Sequence, residues 1–469
     1  MKRPLAFFLL SIGGVVAFPA LHVAQGRGGQ SGGTKPLVVY VVDTEGGKAA
    51  LYVSPTGQSL LIDSGNPGGR DTERIMAAVA DAGLTRIDYL ISTHYHVDHI
   101  GGMQELAKRI PIGTYVDHGP SVEAREQVPG FQQAYADLRA KAKHLVVKPG
   151  DRVPITGLDW RIVTAGGEGL KSPLPGGGRP NAACAQFTPK DITNDPENAQ
   201  SVGSVVTFGQ FRSIDLGDLL WNEEFELMCP NNPVGIVDVY FVTHHGLDSS
   251  GAPVVVHGVQ PRVAVMQNGT RKGAGAQAMP TMRTSAGLED IWQLHWGHGA
   301  GIEQNSAGVF IANVDEPATI AGVLTAPPRS GGPGRGAGGT AAPASQAGPA
   351  TPPGPPAAPP QSPVAPAGDA APQTGAAPQA GAAPQAGAAP GAAGAQATGA
   401  VPAGAGPGGP GSGRGGGAAA AHTPAYWIKV SAEQNGTFTV TNSRNGFSKT
   451  YAKRTPQASP ARAARQPGE

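Results

Sequence analysis

A long stretch that cannot build a hydrophobic core divides this chain. Between Ala326 and Ala421 there is no aromatic residue and only four residues are charged, and the unit Gly-Ala-Ala-Pro-Gln-Ala recurs around residues 375–390. Such a stretch buries too little apolar surface to offset the entropy lost on ordering. Residues 326–421 are therefore predicted to be a disordered linker rich in Pro, Ala and Gly. Roughly 320 residues remain for a core, which suits one large domain.

The N-terminal residues have the composition of a secretory leader. Two basic residues precede the uncharged apolar run Leu5–Phe18, which is too short to cross a bilayer comfortably. A signal peptide is predicted over residues 1–24, with an uncleaved anchor as the alternative. The expected localisation is secreted or periplasmic. In such an oxidising compartment the only two cysteines, Cys184 and Cys229, are expected to form a disulfide.

Strand and helix patterns alternate through residues 36–325, which predicts a mixed α/β domain. A helix is expected from Asp71 to about Ala82. Residues 167–200 are rich in Gly, Pro and Asn, and they are expected to form a long surface loop.

The residues after the linker regain an ordered pattern. Two alternating apolar segments flank Asn435-Gly436, a turn sequence typical of β-hairpins. A hairpin is predicted within residues 422–453, followed by a tail over residues 454–469. Since an isolated hairpin is only marginally stable in water, this one is expected to dock on the main domain.

The strongest chemical signal is the segment Thr-His-Tyr-His-Val-Asp-His-Ile-Gly-Gly, which begins at Thr93 directly after an apolar strand. Side chains two apart in an extended chain point the same way, so His94 and His96 are expected to converge on one point. Asp98 and His99 lie where the chain turns toward the next helix and can face a second point. Neutral imidazoles and a carboxylate suit Zn²⁺, and also Mn²⁺ or iron.

Two later strand ends supply further candidate ligands. Asp218 closes the segment Asp-Leu-Gly-Asp and is placed to bridge two ions, whereas Asp215 is a strand residue or one that supports the ligands. In Val-Thr-His-His-Gly, His245 beside the glycine is the preferred ligand. His244 is then either an alternative ligand or a group that faces the substrate.

These segments resemble the metallo-β-lactamase superfamily, whose hallmark is Thr-His-x-His-x-Asp-His-x-Gly-Gly. Within it, the chain is most similar to the ComEC-type competence-protein hydrolases and their secreted relatives. The supporting segments are L-I-D-S-G at 61–65, E-N-A-Q-S at 197–201, L-G-D at 216–218 and T-H-H-G at 243–246. The resemblance covers residues 36–325. It implies an αββα sandwich with a dinuclear metal site at one edge, here with a long disordered insertion before a C-terminal β-hairpin.

The resemblance also implies a set of ligands. The first metal would be held by His94 and His96, the second by Asp98, His99 and His245, and the bridge would be Asp218.

The chain departs from the wider superfamily at the first metal. Many members supply a third histidine from a segment before the Gly-Asp, and here that segment contains Asn198 instead. Asn198 could ligate weakly, bind an oxyanion or cap a turn. In similar proteins the residue equivalent to Asp63 braces the histidine loop, and metal-bound imidazoles need such an acceptor; a plain turn residue is the alternative.

Two other segments are candidates for contact with the substrate. Asn268, Arg271 and Lys272 follow a strand and could bring an amide and two cations to an anionic substrate, or they could form a solvated turn. The segment 292–298, Trp-Gln-Leu-His-Trp-Gly-His, could be a wall over the metals or a helix end that packs on the core, and packing is favoured.

The predicted function is that of a secreted hydrolase that holds a hydroxide between two divalent metal ions. Zinc is the expected metal, with manganese or iron as alternatives. Asp98 and His244 are the candidate catalytic residues, His244 as the proton donor to the leaving group. The expected substrate is a phosphodiester or another phosphorylated compound, small or polymeric. The alternatives are an ester, lactone or lactam hydrolase of the same fold, and a non-catalytic binding protein of the cell envelope.

The charge balance limits the partners. The net charge is +1 and there is no basic block, so no dedicated nucleic-acid-binding surface is expected. The Pro/Ala/Gly-rich linker is compatible with association with the envelope. The sequence assigns no oligomeric state.

Overall fold

The structure is a computed structural model, and it describes residues 34–123, 130–192, 195–301, 303–314 and 424–454. The predicted signal peptide, the linker and all but the first residue of the predicted tail lie outside these residues. Among the described residues, no helix is both long and apolar enough to span a membrane.

The described residues form twenty strands and seven helices. The strands are β1 (Leu37–Val41), β2 (Ala50–Val53), β3 (Ser59–Ile62), β4 (Ile87–Ile91), β5 (Ile112–Asp117), β6 (Lys143–Val146), β7 (Arg152–Val153), β8 (Asp159–Ala165), β9 (Glu168–Gly169), β10 (Arg179–Pro180), β11 (Gly203–Phe208), β12 (Phe211–Asp215), β13 (Asn231–Asn232), β14 (Val239–Phe241), β15 (Val263–Met266), β16 (Asp290–His295), β17 (Ile311–Asn313), β18 (Ile428–Ala432), β19 (Phe438–Asn442) and β20 (Ser448–Tyr451). The helices are α1 (Arg70–Asp81), α2 (Val97–Ile100), α3 (Met103–Arg109), α4 (Phe131–Arg139), α5 (Trp221–Met228), α6 (Pro253–Val259) and α7 (Ala278–Arg283).

Most of the strands belong to two large sheets. The order in the first is β20-β19-β18-β1-β2-β3-β4-β5-β6, and the order in the second is β17-β16-β15-β14-β12-β11-β8-β7, with β9 paired to β8. Strands β3 to β6 run parallel in the first sheet, as do β12 and β14 to β17 in the second. The loops at the carboxyl ends of such strands are where α/β proteins place their ligands.

Apolar side chains fill three layers. Between the sheets, Tyr52 packs edge-on against Trp160 and Phe241 and so joins the two inner faces. The outer face of the first sheet is covered by α1, α3 and α4, and that of the second by α5, α6 and α7. The predicted αββα sandwich is therefore confirmed.

The strands after the linker complete the first sheet. β18 pairs antiparallel with β1, with Leu37 opposite Ala432, and β19 and β20 continue the sheet outward. The sequence predicted two strands here, and the structure adds a third, β20. The Tyr451 hydroxyl at its end accepts a hydrogen bond from Trp292 Nε1 at 2.9 Å, which ties the two sheets together.

The aromatic segment 292–298 is not a helix end. It begins within strand β16, where Trp292 is fully buried and packs against Phe310 and Phe447. The periodicity of so short a segment could not separate a buried strand from a helix. The predicted disulfide is present: Cys184 and Cys229, with Cα atoms 5.8 Å apart, join the loop before β11 to the end of α5.

Candidate metal centre

The histidine loop, residues 93–102, follows β4, and the carboxylate of Asp63 holds it in place. Asp63 directly follows β3 and has a left-handed φ of 59°. Its Oδ1 accepts the Thr93 backbone N–H and its Oδ2 accepts the Thr93 hydroxyl, both at 2.8 Å, and Oδ2 also accepts His99 Nδ1–H at 2.8 Å. The carboxylate thus fixes the His99 ring with its Nε2 lone pair directed away from Asp63, as a metal ligand requires.

Four side chains from three loops converge on one point. His99 Nε2 and His245 Nε2 each lie 3.2 Å from Asp218 Oδ2, and they lie 3.5 and 3.4 Å from Asp98 Oδ2. His245 Nδ1 donates to the Gln267 carbonyl at 2.9 Å, so its Nε2 also carries a lone pair. Asp218 follows β12 and His245 follows β14, so the parallel strands bring both to the histidine loop.

This group of four has the chemistry of a cation site. Asp218 Oδ1 and His245 Nε2 are buried and have no hydrogen-bond partner among the described residues. Buried acceptors that face one another without a donor are costly unless a cation lies between them. Two carboxylates and two imidazoles are a ligand set that suits a divalent transition metal.

His94 and His96 lie beside this group and face a second point. His94 Nε2 is 3.0 Å from His96 Nδ1. The other nitrogen of His96, Nε2, lies 3.0 Å from Glu123 Oε1 and 3.3 Å from Asp195 Oδ1. These two carboxylates can orient the His96 ring, and with it they form a second group of possible ligands. Sequence reasoning missed both, because neither belongs to a motif.

Asn198 lies near the first pair of histidines but caps no turn with its side chain. It is buried, and its Nδ2 donates to Asp195 Oδ2 at 2.7 Å. Its Oδ1 is buried without a hydrogen-bond partner among the described residues. The same Nδ2 lies 3.5 Å from His244 Nε2.

The charges of the Asp98 and Asp218 carboxylates favour a cation at the centre of this group. Burial favours protonation of Asp98 and Asp218, but the Lys272 ammonium and the His99 ring beside Asp98, and the His245 and His99 rings beside Asp218, hold both pKa values well below the ordinary range. Although burial opposes it, the carboxylates of Asp218 and Asp63 hold the pKa of His99 well above its ordinary value. A metal ion between these carboxylates and imidazoles would supply the positive charge that the carboxylates favour.

Burial favours the neutral imidazole form of His94 and His244. Burial lowers the pKa of His94 well below its ordinary value and that of His244 to about 3. A neutral imidazole is the form that binds a metal.

The three residues expected to contact the substrate differ in how exposed they are. The Lys272 ammonium contacts Asp98 Oδ2, with about a third of the side chain exposed, and Arg271 is exposed beside it. Asn268 is fully buried, and its Nδ2 donates to the carbonyls of Gly269 and His295. Its contacts hold the loop, so it does not face a substrate.

A buried ion pair that the sequence did not predict supports the site. Lys48 Nζ lies 2.6 Å from Asp215 Oδ1, and both side chains are almost fully buried. The backbone N–H of Lys48 donates to the Asp98 carbonyl, and Asp215 Oδ1 accepts the N–H of Gly217. One lysine therefore links the turns that carry the two carboxylate ligands. Its only signal in the sequence is a charged residue between two strands.

Comparison with known proteins supports the architecture. Residues 43–187 match the sequence model described as the metallo-beta-lactamase superfamily, and this range contains the whole histidine loop. The chain has the metallo-β-lactamase fold. Asp218 and His245 lie beyond the matched range, in the second sheet of the same sandwich.

Two curated proteins are similar over short ranges. One is a coenzyme F(420)H(2) oxidase of Methanothermobacter marburgensis, 36% identical over 21% of this chain and 23% of its own length. The other is an atrochrysone carboxyl ACP thioesterase of Aspergillus fumigatus, 38% identical over 16% of this chain and 26% of its own length. The chain thus spans about a quarter of the length of each relative.

Among solved structures, the diiron beta-hydroxylase CmlA from Streptomyces venezuelae is 18% identical. It covers 55% of this chain and 48% of its own, with a TM-score of 0.31. So low a score adds nothing to the assignment.

Proposed function

We propose that this chain is a secreted or periplasmic hydrolase that uses two divalent metal ions to cleave a phosphodiester or another phosphorylated compound. The observation that carries the proposal is the convergence of Asp98, His99, Asp218 and His245, with buried acceptor atoms left unpaired at their centre. The intact ligand set favours an active enzyme over the alternative of a non-catalytic binding protein. Membership of the ComEC-type branch is part of the proposal.

The candidate ligands fall into one set for each of the two ions. His94 and His96 would hold the first ion, Asp98, His99 and His245 would hold the second, and Asp218 would lie between them. When bound, such a pair supplies Lewis acidity and lowers the pKa of water enough to give a nucleophile at neutral pH. Zinc suits the imidazoles, and manganese or iron suits the carboxylates. Asp63 keeps His99 in the tautomer and orientation that leave Nε2 for the ion.

The cations at the mouth of the site support an anionic substrate. The Lys272 ammonium lies against the ligand Asp98, and Arg271 is its exposed neighbour. Once an ion shares the charge of Asp98, the ammonium is available to a second anion at the same place. A phosphodiester carries its charge on the group that reacts, so a cation at this position would hold the reacting phosphorus close to the metals.

The test is a substrate panel on metal-loaded protein. Zinc-, manganese- and iron-loaded samples are assayed with bis(p-nitrophenyl) phosphate, p-nitrophenyl acetate, a lactone and nitrocefin. We expect turnover of the phosphodiester above all others. Activity on the ester or lactone alone, or none with any metal, would contradict the proposal.

Lys272→Gln tests the anionic substrate directly. We expect the KM for the phosphodiester to rise about tenfold, equivalent to roughly 1.4 kcal/mol, while the KM for p-nitrophenyl acetate stays unchanged. Lys449→Gln is the matched control. Lys449 lies on the C-terminal strand β20, and it pairs with Asp290 of β16 and not with a candidate metal ligand. Equal changes for the charged and the neutral substrate would show that Lys272 acts only through its contact with Asp98.

Thioester or ester hydrolysis is the second candidate. One of the curated relatives is a thioesterase, and its similarity to this chain reaches 38% identity over a short range. Adding an acyl thioester to the panel separates the two proposals. Preference for the thioester would also make Lys272 unnecessary for substrate binding.

A further inference from the structure

The first metal site lacks the third histidine that many members of the superfamily supply. His94 and His96 supply two imidazoles, and the segment 197–201 before the Gly-Asp turn contains no histidine. Zinc sites of this kind normally use at least three protein ligands. Asp218, as the bridge, would be the third, and the place that a third histidine takes in the wider superfamily remains open to another donor.

Side chains that contact His96 connect it to His244, which is the candidate donor. His96 Nε2 lies 3.3 Å from Asp195 Oδ1, and Asp195 Oδ2 accepts Asn198 Nδ2 at 2.7 Å. Asn198 Nδ2 in turn lies 3.5 Å from His244 Nε2. Asp195 and Asn198 therefore connect His96 to His244.

His244 also contacts Asp218, the carboxylate proposed as the bridge. His244 Nε2 lies 3.5 Å from Asp218 Oδ2, the oxygen that also contacts His99 and His245. The His94 ring lies 4.1 Å from the His99 ring, centre to centre. His244 thus contacts the same Asp218 oxygen as His99, whose ring lies against that of His94.

The other nitrogen of His244 is already occupied. Nδ1 lies 3.0 Å from the Ser250 hydroxyl and 3.1 Å from the Ser249 hydroxyl. These hydroxyls can accept the Nδ1 proton, which leaves a lone pair on Nε2. The ring is largely buried, and the backbone is in the left-handed region at φ 53°, as it is in the next residue, His245. Such strain at two adjacent residues serves to turn both rings toward the site.

We propose that His244 is the third imidazole ligand of the first metal, in the place of the histidine that the segment before the Gly-Asp turn lacks. Ser249 and Ser250 are its positioning residues, and Asn198 supports the site through Asp195. The proposal rests on the two-metal site of the proposed function and is independent of the substrate.

The decisive variant is His244→Gly. Glycine adopts a positive φ without strain, so the turn should survive the change. We expect the purified variant to retain about one divalent ion per chain where the parent retains about two, as measured by elemental analysis after gel filtration. Adding imidazole, which can fill the vacated space, should restore the second ion.

Two further variants separate ligation from a structural effect. Replacing both Ser249 and Ser250 by Ala keeps the ring but frees Nδ1, and we expect the affinity for the more weakly bound ion to fall roughly 10- to 100-fold, as for other partners of metal-bound histidines. His257→Ala is the control, because that histidine lies on α6, contacts the Thr281 carbonyl of α7 and belongs to neither group of possible ligands. It should retain both ions with or without imidazole.

Other results overturn the proposal. Two tightly held ions in His244→Gly would mean that the first site is complete without His244. Loss of an ion that imidazole does not restore would mean that the residue only supports the loop. Both measurements are made without substrate, so a failure of the proposed hydrolysis leaves this test intact.

Discussion

Lys48 shows how one side chain can hold two parts of a site in register. Its ammonium is buried against Asp215, and its main chain supports Asp98. Lys48→Met leaves the Asp215 carboxylate buried without a countercharge, and we expect a loss of about 3–5 kcal/mol in the free energy of unfolding. Urea unfolding measures it. Lys449→Met, which breaks a half-exposed pair with Asp290, should cost at most about 1 kcal/mol. A loss in Lys48→Met as small as that in Lys449→Met would show that the Asp215 carboxylate finds another partner.

The ligands of the site were predictable to different degrees for a physical reason. His94 to His99 lie within one turn after one strand, so their spacing alone predicts convergence. Lys48 and Asp215 are 167 residues apart and meet only because the two sheets pack face to face. Glu123 and Asp195 are brought to His96 by irregular segments, for which no periodicity in the sequence exists.

At the scale of elements, the turn that leads into α6 depends on the buried carboxyl of Glu224. Its oxygens accept the N–H groups of Gly251 and Ala252 at 3.0 and 2.7 Å. Burial raises its pKa from 4.5 to about 8. Between these values the folded chain holds a proton that the unfolded chain has released, so stability should fall as pH rises from about 4.5 toward 8.

Glu224→Gln tests that dependence. The amide does not titrate, so the slope of unfolding free energy against pH should flatten in urea titrations between pH 5 and 8, whatever the absolute stability. An unchanged slope would assign the pH dependence to other groups.

The C-terminal strands are expected to be essential to the first sheet. They bury Ile428, Val430, Phe438, Val440 and Tyr451 in the core between the sheets. A chain that ends at Thr325 exposes the edge of β1 and this core surface, so we expect insolubility or a melting temperature lower by several degrees. An unchanged melting temperature would mean that these strands add little to the sandwich. Their existence could be predicted from alternation and the Asn-Gly turn, but the partner strand β1 could not, because pairing of distant strands leaves no local pattern.

At the scale of the whole molecule, the linker should be dispensable for folding and catalysis. Lengthening a flexible loop costs only about 0.6 kcal/mol per doubling, and shortening it gains as little. Replacing residues 330–418 with a short Gly/Ser linker should therefore preserve the melting temperature and the metal content. A marked loss of either would assign the linker a part in the fold.

The disulfide between Cys184 and Cys229 should stabilise the second half of the sandwich. It links residues 45 apart in sequence, and closing a loop of that size contributes roughly 3–4 kcal/mol. The double variant with serine at both positions should unfold at correspondingly lower urea concentrations. Wild-type protein treated with reductant is the control and should match it. Two free thiols in protein from an oxidising compartment would refute the pairing.

The pairing of β18 with β1 also sets an order of events during synthesis. The strand that β1 needs on its outer side contains Ala432, the partner of Leu37. At 5–20 residues per second, the ribosome takes roughly 20–80 s to reach it after making β1. Throughout that interval an apolar strand edge has no native neighbour, so a nascent chain released early carries a surface open to pairing with other chains. The yield of this protein should therefore depend on chaperone supply as well as on its final stability.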